Sequence, residues 1–190
     1  MNILYAWFFP AVWIVYLVYW QIAAAGAKAT QRIESVSSRV FRTILLLSGV
    51  ALLCWPRLPI AWLYQHFLPG SAWAFFLGAA ITVAGLLFSV WARVTLGTNW
   101  SRSVTIKKNH ELITTGPYTL VRHPIYTGIL AGFLGSAIAT TQFRGILAFV
   151  LVFLSLWYKL RLEEKWMRSQ FGDTYADYSR HTAALIPWLI

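Results

Sequence analysis

The chain has 190 residues, of which 58% are hydrophobic and only 12% are charged, and its mean hydropathy is +0.59. Charged residues make up about 25% of an ordinary soluble domain, so this composition excludes a water-soluble globule and indicates a membrane protein. The 17% aromatic content, with eleven Trp, fits that class because Trp and Tyr collect at the membrane–water interface. The single Cys excludes an internal disulfide.

Five apolar segments are long enough, or nearly so, to cross a bilayer as helices, for which about 20 residues are needed. The first has no basic region before it, which favours an uncleaved span over a signal peptide. We expect the last to continue into the cytoplasm as a charged helix through Gln170. The segments are Ile3 to Ala25, Phe41 to Trp55, Ser71 to Val94, Ile125 to about Thr141, and about Gly145 to Leu160. The predicted fold is therefore an all-α polytopic integral membrane protein with about five transmembrane helices.

We expect one structural unit with two parts. Residues 1–95 would hold the first three helices, and residues 96–190 would hold a cytoplasmic loop, helices four and five and a C-terminal helix. A cytoplasmic cofactor site would be formed by this second half.

The net charge of +10 would suggest a nucleic-acid partner in a soluble protein, but here it is explained by membrane topology. With five spans, all of the sixteen Lys and Arg except Arg57 and Arg144 fall on one side. Since basic loops stay in the cytoplasm, the N-terminus is predicted outside and the C-terminus inside. We expect membrane lipids, and no nucleic acid, as partners.

Small residues predict where helices touch, because close backbone contact drives association inside lipid. Gly128 and Gly132 form a GxxxG pattern in the fourth segment, and Gly135 follows. Ala80 and Ala84 are the corresponding candidates in the third segment.

Two polar segments adjoin the predicted membrane helices, Leu96 to Gly128 and Lys159 to Pro187. In the first, Gly116 and Pro117 predict a turn, and Pro124 moves His123 out of helical geometry and starts a helix. The N-terminus of that helix, with Arg122 and His123, would favour an anionic group such as a carboxylate. Equally, Arg122 could anchor the helix end and His123 could cap a turn.

In the second polar segment, Glu163 and Glu164 stand near the cytoplasmic end of the fifth span. Ionisable groups at a membrane edge are candidate functional groups, and a carboxylate there could bind an ammonium. The alternative is a solvated helix exit. The sequence has no nucleotide-binding GxGxxG or GxxxxGK[ST], no HExxH or CxxC, and no GxSxG. We therefore expect no metal.

Together, TGPYTLVRHPIYTG, preceded by NHELIT, and RLEEKWMRSQFGDTYADYSRHTAALIP resemble the isoprenylcysteine carboxyl methyltransferases and their prokaryotic relatives. The resemblance covers about Leu96 to Pro187. It implies a membrane-embedded methyltransferase that uses S-adenosyl-L-methionine to methylate the carboxylate of a prenylcysteine-like lipophilic acceptor, which enters from the bilayer.

The resemblance also implies site residues. The cofactor contacts would be His110, Leu112, Ile113, Tyr118, His123, Pro124, Tyr126 and Glu163. The catalytic residues would be Arg161, Glu163 and Glu164. A basic residue before the acidic pair would orient the acceptor carboxylate; both Arg161 and Lys159 are available, and Arg161 is preferred because a guanidinium can bind a carboxylate through two hydrogen bonds.

Other functions remain open at this point. They are methylation of a phospholipid amine or of a thiol, an NADPH-dependent reduction of the sterol-reductase type, and a non-enzymatic role as a channel or assembly factor. NADPH would require a denser group of basic residues than Arg122 and its neighbours supply. A pore would leave the two polar segments unexplained, and no charged residue lies in the middle of a predicted span to line it.

Overall fold

The structure is a computed structural model that describes residues 3–24, 30–55, 58–97, 100, 105–107 and 112–187. It contains five α-helices: α1 (Ile3–Ala23), α2 (Val36–Cys54), α3 (Ala72–Leu96), α4 (Pro124–Thr140) and α5 (Phe143–His181). Each predicted apolar segment coincides with one of these helices. Helix α2 begins five residues before Phe41, and α5 extends to His181, past Gln170.

By length and composition, three of the helices can cross a membrane: α2, α3 and α5. The described part of α1 from Trp7 to Ala23, and α4, are apolar but shorter. The structure therefore supports an integral membrane protein built from helices, and the total of five spans stays a prediction.

Two short strands were not predicted. Strand β1 (Thr30–Ile33) pairs antiparallel with β2 (Thr105–Lys107), with Ile33 opposite Thr105. They connect the segment before α2 with the first polar segment. Strands of three and four residues give too short an alternation of polar and apolar positions for sequence reasoning to find.

Helices α3 and α4 pack in very close contact through glycines. A Cβ on Gly128 would lie 2.3 Å from the carbonyl oxygen of Gly85, and one on Gly135 would lie 2.5 Å from that of Gly78. The hydroxyl of Thr82 also donates to the carbonyl of Gly132, at 3.2 Å. The predicted GxxxG contact of α4 is confirmed.

The partners predicted on α3 are wrong. Ala80 and Ala84 are exposed, whereas Gly78 and Gly85 are buried against α4. The alanines lie on the other side of α3, and composition alone does not reveal which side of a uniformly apolar helix meets a neighbour.

We expect Gly128→Ala to destabilise the protein by about 2–3 kcal/mol, because the added methyl group overlaps backbone atoms that cannot move aside. Thermal unfolding in detergent micelles measures this. Gly70→Ala is the matched control, since a Cβ at Gly70 meets nothing within 4 Å. Equal stability of the two variants would contradict the packing.

The C-terminal residues close over the loop that precedes α4. Val121 and Ala183 form a parallel β-bridge, and the N–H groups of Arg122 and His123 donate to the carbonyls of Ala183 and Ala184 at 2.8 and 3.0 Å. Helix α5 changes direction at Gly172, where φ is +51°. Because L side chains rarely adopt a positive φ, glycine is favoured there, and the change allows the chain after it to return to α4.

Candidate functional site

The turn predicted at Gly116 forms a short 3₁₀ helix over Gly116–Thr119, with Gly116 at φ +60°. It buries Tyr118, whose carbonyl accepts a 2.6 Å hydrogen bond from the Tyr178 hydroxyl. Tyr178 belongs to the last part of α5. The turn therefore places Tyr118 between the end of α3 and the C-terminal helix.

Helix α4 begins at Pro124, and His123 before it is non-helical, as predicted. The backbone donors at this helix start are largely occupied: those of Arg122 and His123 by the C-terminal segment, and those of Tyr126 and Thr127 by the carbonyl of His123. The helix N-terminus thus offers fewer donors to an anion than the sequence suggested.

Glu163 is the centre of a cluster of polar side chains between α4 and α5. Its Oε2 accepts a 2.6 Å hydrogen bond from the Tyr126 hydroxyl, and the same oxygen lies 3.7 Å from His123 Nδ1. Its Oε1 lies 3.8 Å from Lys159 Nζ. Lys159 also lies over the Tyr126 ring, 5.3 Å from its centre. One carboxylate therefore faces a hydroxyl, an imidazole and an ammonium.

Glu164 has a different set of partners. Arg122 donates to its Oε1 from Nε at 2.8 Å and contacts the same oxygen through a terminal nitrogen at 2.6 Å. The other terminal nitrogen of Arg122 donates to the carbonyls of Ser179 and Thr182, where α5 ends. Arg122 therefore joins the start of α4, the middle of α5 and its C-terminus, and its donors are engaged within the protein.

Burial by itself would raise the pKa of Glu164. The nearby His123 and the hydrogen-bonded, positively charged Arg122 have the opposite and larger effect, and they lower this pKa from its ordinary 4.5 to about 2. A carboxylate whose pKa is depressed by folding stabilises the folded state above its unfolded pKa.

We therefore expect part of the stability of the protein to be lost as the pH falls from about 4.5 to about 2, where Glu164 becomes protonated. Unfolding in detergent across this range measures the loss. Glu164→Gln removes the titrating group and should flatten this part of the profile. An unchanged profile in that variant would assign the acid sensitivity to other groups.

His123 contributes a second unusual feature. Its ring stacks on that of Tyr126, with the centres 5.4 Å apart and the planes 4° from parallel. Its Nε2 is buried and, among the described residues, makes no hydrogen bond, although a carboxylate oxygen of Glu164 lies 3.5 Å away. A buried polar atom without a hydrogen bond is costly, so this nitrogen indicates a place for a ligand.

The structure brings together some of the predicted site residues and separates others. Tyr126, His123, Pro124, Glu163 and Glu164 lie in or beside the cluster. Tyr118 lies in the adjacent hydrophobic core, and Ile113 packs against that core. Leu112, which precedes Ile113 in the sequence, is half-buried. His110 lies outside the described residues.

The two basic candidates differ in position. Arg161 is exposed and lies over the ring of Trp157, 5.9 Å from its centre, so it is not brought to the cluster. Lys159 is brought there, with its side chain only 12% exposed. The spacing of four residues between Lys159 and Glu163 could have predicted this position, because residues four apart lie on the same side of a helix.

Sequence reasoning missed a further charged pair, which lies at the start of α2 where this helix packs against α5. Arg42 binds both oxygens of Glu34, and the Ser38 hydroxyl donates to Glu34 at 2.9 Å. The spacing of four residues from 34 to 38 to 42 could have revealed this pair, with Glu34 just before α2 and the other two residues in its first two turns.

The fold and the cluster define a helical membrane protein with a polar site at the end of its apolar helices. The phospholipid methyltransferase family matches residues 73–174, more than half of the chain. The chain therefore belongs to this family of membrane methyltransferases.

Individual relatives agree with the predicted resemblance to isoprenylcysteine carboxyl methyltransferases. A probable protein-S-isoprenylcysteine O-methyltransferase from Oryza sativa subsp. indica is 26% identical over 97% of this chain and 96% of its own length. The cobalt-zinc-cadmium resistance protein CzcN from Cupriavidus metallidurans is 36% identical over 50% of this chain and 44% of its own.

Among solved structures, the eukaryotic intramembrane Ras methyltransferase ICMT shares the fold, with a TM-score of 0.55 and 24% identity. The match covers 90% of this chain, which spans about half of that protein (53%). The predicted resemblance to the isoprenylcysteine carboxyl methyltransferases is confirmed, and the chain is a membrane methyltransferase of the phospholipid methyltransferase family.

Proposed function

We propose that this protein transfers a methyl group from S-adenosyl-L-methionine to the carboxylate of a prenylcysteine-like lipophilic acceptor at the cytoplasmic side of the membrane. The observation that carries the proposal is the placement of Glu163. This carboxylate lies just beyond the apolar part of α5 and faces Tyr126, His123 and Lys159 at once.

The cluster suits the amino-acid end of the cofactor, which carries one ammonium and one carboxylate. Glu163 offers negative charge for the ammonium, and the unpartnered His123 Nε2 offers a polar contact. Tyr126 holds Glu163 in place through its hydroxyl, so the charge is fixed before the cofactor binds. When bound, S-adenosyl-L-methionine supplies a methyl group on a sulfonium.

Lys159 is our candidate for orienting the acceptor. It stands four residues, or one helical turn, before Glu163 and closer to the apolar part of α5, the direction from which a lipid-like molecule would arrive. Its ammonium can pair with the acceptor carboxylate. The exposure of Arg161 makes it the weaker choice.

The reaction requires little acid–base chemistry from the protein. A carboxylate acceptor is already ionised at neutral pH, so no base has to remove a proton from it. The residues of this chain need to align the acceptor oxygen with the methyl group and exclude water. The buried positions of Tyr118, Pro124 and Tyr126 serve the exclusion of water.

The membrane arrangement belongs to the same proposal: five spans, the N-terminus outside and the active site cytoplasmic. The unequal distribution of Lys and Arg between the loops supports it. The three helices that are long and apolar enough to span a membrane support it in part. Residues 1–95 would form the membrane scaffold and residues 96–190 most of the site.

A phospholipid amine is the second candidate acceptor, and the matched family favours it by its description. Methylation of a charged amine requires that a proton first be removed. The described cluster offers His123 and the glutamates for that step, and both glutamates already accept contacts from positively charged or hydrogen-bonding groups. We therefore prefer the carboxylate.

The test is binding followed by turnover. Calorimetry on the detergent-solubilised protein should give micromolar affinity for S-adenosylhomocysteine and none for NADPH. Labelled methyl transfer should then occur to an S-prenyl-N-acetylcysteine but not to its carboxamide, with phosphatidylethanolamine tested in parallel. Methyl transfer to the amine lipid alone would show that the acceptor is an amine and not a carboxylate. Binding of NADPH alone would show that the protein is not a methyltransferase.

A further inference from the structure

We propose that the buried Glu34–Arg42 ion pair at the start of α2 is a positioning pair for Lys159, so that the acceptor side of the site is built in part by the N-terminal half of the chain. As far as the acceptor is concerned, this inference rests on the proposed function.

The pair is deeply buried. The Glu34 side chain is 0% exposed and the Arg42 side chain 10%, and Arg42 binds both oxygens of the carboxylate. A buried ion pair contributes little net stability, because removing both charges from water costs about as much as their attraction returns. Stability alone therefore does not account for the pair.

Its location relative to α5 is fixed by direct contacts. The Ser155 hydroxyl donates to the carbonyl of Arg42 at 2.8 Å, and the ring of Tyr158 meets that of Phe41 with 5.7 Å between centres. A Cβ on Gly49 would lie 2.7 Å from Val152, so α2 and α5 approach closely further along as well. The start of α2 is thus held firmly against this part of α5.

Ser155, which contacts α2, lies on the same side of α5 as the site residues Lys159 and Glu163. Ser155, Lys159 and Glu163 are spaced four apart, and residues at this spacing stack on one side of a helix. Ser155 contacts Arg42, and one turn later Lys159 reaches Glu163. Phe41 and Arg42 of α2 therefore adjoin the turn of α5 that comes just before Lys159.

These four groups alternate in sign, since Glu34 and Glu163 are acidic while Arg42 and Lys159 are basic. With the pair intact, Glu34 and Arg42 compensate each other, and the ammonium of Lys159 faces Glu163. Without Arg42, the uncompensated Glu34 would draw Lys159 away from Glu163. Without Glu34, the uncompensated Arg42 would repel Lys159.

The experiment measures the reactivity of Lys159 and does not require any acceptor. An amine-acylating reagent is applied to the full-length protein in detergent, and mass spectrometry compares modification of Lys159 with that of exposed Lys165. Only the uncharged amine reacts. Arg42→Gln should slow modification of Lys159 and Glu34→Gln should accelerate it, each about threefold or more relative to Lys165.

The double variant supplies the rescue that distinguishes positioning from a structural role. Arg42→Gln combined with Glu34→Gln leaves no uncompensated charge, so the Lys159 rate should return to within about twofold of the wild type. Arg39→Gln, an exposed residue of the same helix, is the control and should change nothing.

Turnover gives a second reading when the wild type is active. Arg42→Gln should raise KM for the prenylcysteine acceptor about tenfold with a smaller change in kcat, and the double variant should recover most of the loss. If the wild type methylates no such acceptor, the proposed function fails while the labelling result still decides this inference. Equal labelling of Lys159 in both single variants, or a double variant no closer to the wild type than either, would overturn it.

Discussion

Replacing Glu163 by Gln is expected to weaken binding of S-adenosylhomocysteine by about 100-fold while leaving the protein folded. Glutamine preserves the shape of the side chain and an acceptor for the Tyr126 hydroxyl, so the local structure should survive. It removes the negative charge, and the ammonium of Lys159, 3.8 Å from Glu163, would then repel the ammonium of the ligand.

Calorimetry in detergent measures the loss, and Asp177→Asn is the matched control. Asp177 is an acidic residue on the same helix, with its side chain 63% exposed and paired with Arg180 at the surface. Its removal should leave the affinity unchanged. If the two variants bound the ligand equally well, Glu163 would not be the ammonium partner.

Replacing Arg122 by Gln is expected to cost about 3–5 kcal/mol of stability. The substitution leaves Glu164 buried without its cation and removes the donor to the carbonyls of Ser179 and Thr182 at the end of α5. Unfolding in detergent micelles measures the loss. The exposed Arg168 is the control, and Arg168→Gln should change stability by less than about 0.5 kcal/mol.

A double variant separates the two causes. Arg122→Gln with Glu164→Gln leaves no buried charge uncompensated, so it should be more stable than Arg122→Gln alone by about 1–2 kcal/mol. What remains of the loss measures the missing cap at the end of α5. If the double variant were less stable than the single one, the ion pair would not be the main role of Arg122.

The role of Arg122 illustrates what the sequence left open. Two interpretations were equally consistent with it: an anion-binding donor, and an anchor for a helix end. Its partner Glu164 is 42 positions away, and the carbonyls it caps are further still. No local pattern connects such distant positions, so only the folded chain distinguishes the two, and its contacts favour the anchor.

The sequence also could not decide whether Lys159 or Arg161 faces the site. Both residues precede the acidic pair, and the chemical preference for a guanidinium favoured Arg161. The two positions are two residues apart, so they point about 200° apart around a helix of 3.6 residues per turn. Packing of α5 against α2 and α4 fixes which of them faces the cluster, and Lys159 is the one that does.

The sequence by itself determined the membrane class, the five helical segments, the turn at Gly116, the helix start at Pro124 and the family. These properties depend on composition, on runs of apolar residues and on the local restrictions of glycine and proline, all of which act over a few neighbouring residues. Tertiary structure alone decided the side of α3 that meets α4, the pairing of β1 with β2, and the set of charges around Glu163. Those depend on how each helix is rotated about its axis, and in apolar helices the rotation is set by close packing with neighbours rather than by a division between polar and apolar sides.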